Sequence, residues 1–243
     1  MKGKLAIVSA VALIGLTVVG QLALKSRRPP AAPFMAESAF AALGGFRSIA
    51  AEVIWFRADR LQEEGRYVEL AQLATSLTFM EPHTPEVWSY AAWNLAYNVS
   101  VMMATHEDRW RWVLASMRLL RDAGLVYNPT SAELYRELAW LFEIKMGAAV
   151  DSAAPIYREK WREIVADVRA RDAWEELRMD REQMAQVERA SGTDEWEDPL
   201  LSAMYWAAQG FRHARNQKEQ LMLASIINQS QLIYEKNHSK VTK

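Results

Sequence analysis

The sequence predicts an all-α fold, and three observations carry the prediction. The first is composition: of 243 residues 51% are hydrophobic, with ten Trp and only ten Gly, a profile of a helix-rich packed body and not of a disordered chain. The second is periodicity, since from Phe46 onward apolar residues recur at three- and four-residue steps. The third is an internal repeat. Pro82, Glu86, Val87 and Trp88 fall on Pro129, Glu133, Leu134 and Tyr135, Ala92-Trp93 on Ala139-Trp140, and Leu95 on Phe142, each pair offset by 47 residues. Self-similarity at such a period marks stacked helical units. These units bury their faces only against neighbours and present extended binding surfaces.

Taken in order, the chain opens on Leu5 to Leu24, whose only polar members are Ser9, Thr17 and Gln21. Twenty helical residues at 1.5 Å each reach roughly 30 Å, the thickness of a bilayer's hydrocarbon core. The alternative is a cleaved signal peptide begun by Lys2 and Lys4, but a signal's apolar region is usually shorter and no small-x-small site follows. Residues 1–28 are therefore expected to be a membrane anchor with basic flanks. Lys2 and Lys4 before the span nearly balance Lys25, Arg27 and Arg28 after it. The short basic start favours export of the rest. Residues 29–45 read as a linker, because Pro29, Pro30 and Pro33 exclude a helix interior and Gly44-Gly45 close the stretch.

The helical body is expected over 46–236. Phe46, Ile49, Val53, Phe56 and Leu61 mark a first helix stopped by Gly65, and Val68 to Met80 its partner, stopped before Pro82. The repeat supplies the next helices. Beyond it, Ile156, Ile164, Val168, Trp174, Leu177, Met184 and Val187 form an apolar stripe through charged sequence, predicting one or two amphipathic helices bent near Arg169–Arg171. Asp198-Pro199 starts another, with Asp as cap and Pro in the first turn. A partner helix follows over about 218–234, and 237–243 is a tail.

The body's motifs resemble the tetratricopeptide (TPR) family. Gly65-Arg66-Tyr67 followed by Pro82 is similar to the second half of such a repeat. Ala58 and Leu61 fit the family's small and large positions in a first helix, as Ala74 and Leu77 fit those in a second. Trp88, Ala91-Ala92 and Leu95, then Tyr135, Leu138-Ala139 and Phe142, stand where the pattern has Trp, Leu-Gly and Tyr. Phe211, Ala224 and Ile227 fit a fourth pair. The 47-residue spacing departs from the family's 34, so the second unit must have longer helices or a longer turn around Thr105–Asp108. Runs such as Ala92-Trp93-Asn94 and Leu134-Tyr135-Arg136 also resemble a group of bacterial proteins with a membrane anchor and a TPR-like body. The resemblance implies a TPR-like antiparallel helix-pair superhelix on one N-terminal transmembrane helix, at a bacterial inner membrane; with the export that the short basic start favours, the body is expected to be periplasmic.

Chemistry is thin. The absence of Cys excludes disulfides, thiolate metal sites and cysteine nucleophiles. His83, His106, His213 and His238 lie too far apart for a helical zinc site, and neither a phosphate loop nor a nucleophile elbow is present. No enzyme, metal or cofactor is expected. The net charge of −1 hides an asymmetry: residues 1–28 hold five Lys/Arg and no acid, leaving 24 basic against 30 acidic residues beyond. A mildly acidic body is unsuited to nucleic acid. Trp110 and Trp112 alternate with Arg109 and Arg111, but two residues apart on a helix they cannot form one stacking platform.

The expected function is a protein-binding scaffold; the alternative is a permanent assembly subunit of a membrane complex of transporter or secretion type. In the TPR family the first helix of each pair lines a concave groove. The resemblance places Glu52, Trp55, Asp59 and Gln62 there from the first unit, Glu86, Ser89, Trp93 and Ala96 from the second, and Glu133, Arg136, Trp140 and Glu143 from the third. Aromatic anchors in an acidic surround suit a protein or peptide partner with basic and apolar residues.

Overall fold

The computed structural model describes residues 47–148 and 150–239, and among these every regular element is a helix. The anchor at 5–24 and the linker at 29–45 lie outside the described residues. Within the described residues no helix is long and apolar enough to cross a membrane. The chain divides into two compact units, Met1–Val53 and Ile54–Lys243. Of the first, the described part is the opening of helix α1 (Arg47–Glu63); the rest of the fold belongs to the second.

Glycine ends α1. Gly65 adopts φ +69°, which costs an L residue with a Cβ but not glycine. The Gly65 N–H then bonds Gln62 O at 3.1 Å and the Arg66 N–H bonds Leu61 O at 2.9 Å, satisfying carbonyls the helix leaves over. Helix α2 (Tyr67–Met80) returns, and Ala58 and Leu61 of α1 bury against its Leu70.

The repeat is visible down to single hydrogen bonds. Helix α3 occupies residues 85–102, beginning as Pro85–Trp93 and passing through a π segment, Asn94–Val99, into Ser100–Met102. Helix α5 begins as Ala132–Trp140 and ends in a π segment, Leu141–Gly147, so the two π segments start 47 residues apart. Trp88 Nε1 donates to Pro82 O at 2.9 Å, and 47 residues on Tyr135 Oη donates to Pro129 O at 3.2 Å. Each aromatic thus ties the first turn of its helix back to the proline that ended the previous one. Between them lies α4, residues 106–127, itself carrying a π segment at Leu119–Gly124. Thr105 caps it, accepting from Asp108 N at 3.1 Å. With only residues 103–105 between α3 and α4, the long spacing is taken up by long helices and not by a long turn.

Small residues set the contacts. Ala92 and Ala139 are buried, and the Ser116 hydroxyl of α4 donates to Ala92 O at 2.8 Å, which requires the two backbones to lie close. Trp110 is buried beside Tyr157 with ring centroids 6.0 Å apart, whereas Trp112 packs from the other side on Leu95 and Val99.

Helix α6 (Ala154–Arg171) ends with Asp172 in the left-handed region at φ 51°, so the amphipathic stretch is broken there and not merely bent. A 3-10 turn (Trp174–Leu177) and α7 (Arg181–Ser191) complete it. Helix α8 (Pro199–His213) is capped by Asp198, which accepts from Leu200 N at 2.9 Å. Leu200, Ala203, Met204, Trp206, Ala207 and Gly210 are all buried around it, and it packs against α5, α6, α7 and α9 (Gln217–Ser239). A helix buried on all sides through its first three turns is a core helix. A Cβ on Gly210 would stand 2.8 Å from Tyr135 Cβ and 2.9 Å from a Leu223 methyl, so only glycine fits where α5, α8 and α9 meet. Helix α9 buries Leu223, Ile226 and Tyr234 and packs along α8, whose Phe211 is 43% exposed.

Candidate functional site

Helices α3 and α5 run side by side in the same register, so residues 47 apart in sequence present the same face. Trp93 and Trp140 are each 43% exposed, although their neighbours Ala92 and Ala139 are buried. Both indoles line one cavity of about 830 Å³, whose opposite wall is α9. Leu221, Met222, Ile226 and Ile233 supply that wall, and Arg136, Glu137, Glu143 and Ile144 join the indoles from α5. Large apolar side chains exposed on both walls are the kind of surface that marks a binding groove.

The groove brings together Trp93, Arg136, Trp140 and Glu143 of the residues expected to line it. The others lie elsewhere. Glu52 and Asp59 are exposed on α1; Trp55 packs on Tyr90 with centroids 5.1 Å apart, and Gln62 accepts from Tyr90 Oη at 3.1 Å. Ala96 is fully buried. Glu86 is exposed and Glu133 half-buried, where burial, reinforced by the Glu86 charge, raises the Glu133 pKa.

Electrostatically, the groove holds one solved pair and one unsolved group. Arg136 pairs with Glu137 at 2.7 Å and is thereby neutralised. Glu143 is 4% exposed, its Oε2 has no hydrogen-bond partner, and burial pushes its pKa up to about 7. The buried cation two residues on, Lys145, is already held by Asp151 at 2.8 Å, with its ammonium 4.8 Å from the centre of the Tyr97 ring. Tyr97 stacks in turn on Trp93, centroids 5.9 Å apart.

Sequence reasoning missed Glu137 and the whole α9 wall. The apolar residues of α9 at 221, 222, 226 and 233 show helical spacing, but their destination depends on where α8 turns the chain back. Among the described residues no group of three or more His, Asp or Glu side chains is placed to hold a metal ion. No protein-family model, curated protein or solved structure matches the chain.

Proposed function

We propose that the chain is a TPR-like protein-binding scaffold, tethered to a bacterial inner membrane through residues 5–24, whose partner lies in the groove between α5 and α9. One observation carries this reading: Trp93 and Trp140, equivalent positions of the repeat, both expose their indoles, and both do so into the same groove. A core role for these residues would leave them as buried as Trp161 and Trp196, which are 1% exposed. Aromatic anchors bury much area for few rotors and dominate the energy of such sites. The partner suited to two indoles, an apolar helix wall and the unpaired acid Glu143 beside the Arg136–Glu137 pair is a protein segment with apolar and basic residues.

The test is a displayed random-peptide selection on the full chain in detergent, followed by affinity measurement on Trp93→Ala. The reading expects groove-dependent peptides, a loss of about 2 kcal/mol or more on Trp93→Ala, and an unchanged circular dichroism spectrum. Peptides that bind the variant as tightly, or a variant that unfolds, would contradict it. Fractionation of the full chain with membranes checks the tether.

A further inference from the structure

Comparison of the two repeat units isolates one residue that packing does not explain. At the position 47 residues before Glu143 stands Ala96, fully buried. The third unit replaces this small core residue with a carboxyl group that is itself buried, and that carboxyl finds no basic partner. Arg136 is engaged by Glu137 and Lys145 by Asp151. A buried acid without a counter-charge costs stability, and the π segment that carries it is a helix distortion frequent at functional sites.

The chain already shows how such an acid is satisfied. The Lys145 ammonium sits over the Tyr97 ring and against the Asp151 carboxylate, an aromatic face and an anion around one cation. In the neighbouring groove Trp93 and Trp140 offer the aromatic faces and Glu143 the anion. We propose that the groove is a lysine socket: a peptide partner inserts one lysine side chain between Trp93 and Trp140 and sets its ammonium on the Glu143 carboxyl through Oε1, the oxygen not closed off from the groove, its flanking apolar residues lying along Leu221, Met222 and Ile226. With Oε2 closed off, the carboxyl offers the groove a single oxygen, which suits a compact ammonium on a slender stem. A guanidinium asks for two acceptors in a plane.

This rests on the groove reading above, and the experiment separates the two. Peptides selected on the full chain are compared with copies in which each lysine is replaced by norleucine, on wild type, Glu143→Gln and Trp93→Ala. The expected result is enrichment of lysine over arginine, with at least a tenfold loss from the norleucine copy or from Glu143→Gln. The norleucine copy should then bind wild type and Glu143→Gln alike, as coupled partners require. Peptides that need Trp93 but ignore Glu143 and lysine, or that select arginine, overturn the socket and leave the groove reading standing. Peptides indifferent to Trp93 overturn both. Self-association of the chain that Trp93→Ala abolishes gives the groove to a second copy and also overturns the socket. Glu143→Met serves as the folding control: it should keep or raise Tm while losing lysine-dependent binding.

Discussion

At the scale of single residues, Glu143 carries a cost in stability, because it is a buried acid with an unpartnered oxygen. Its carboxyl ordinarily ionises near 4.5, and burial raises this to about 7 in the folded body. Between those values the folded chain keeps a proton that the unfolded chain releases, so this group's contribution to stability is present below pH 4.5 and is lost as the pH rises towards 7. Denaturant titrations at pH 5 and pH 8 should show wild type losing about 1–3 kcal/mol relative to Glu143→Gln over that interval. Equal slopes for the two proteins would mean that the carboxyl is not unpaired. Glu143→Met, which removes the buried charge at similar volume, should stabilise by about 1–3 kcal/mol at neutral pH, visible as a higher Tm by thermal scanning. The groove position of Glu143 followed from repeat register in the sequence. Its isolation did not, because it depends on Arg136 and Lys145 each finding another acid first.

At the scale of elements, most helix ends are written locally. Gly65, the Asp198-Pro199 pair and the Pro82 and Pro129 stops all act on their own turn, and the helices end or begin where these residues stand. The π segments are not written locally in the same way. Asn94–Val99 and Leu141–Gly147 contain no Pro, and in the first the Asn94 side chain bonds Tyr90 O at 2.9 Å within its own helix. The paired helices depend on small contact residues. Ala92→Leu would thrust a side chain at α4 where Ser116 bonds the Ala92 carbonyl, and Ala139→Leu would overpack buried surface of α5. Each should destabilise by about 1–3 kcal/mol in chemical denaturation. A thermally silent pair would mean that neither alanine sits at a helix contact.

At the scale of the molecule, an all-α body was readable from composition and the repeat, whereas the second wall of the groove was not. That wall exists because α8, buried through residues 199–207, ends at His213 and the chain turns at residues 214–216 to send α9 back across α5. No short-range pattern specifies such a return. The central claim is that Trp93 and Trp140 jointly face the partner, and indole N–H resonances report on it most directly. In a spectrum of the full chain labelled at its ten tryptophans, adding a selected peptide should shift the Trp93 and Trp140 signals, identified by substitution, and leave buried Trp161 and Trp196 in place. Shifts at Trp161 or Trp196 with Trp93 and Trp140 unmoved would contradict the account.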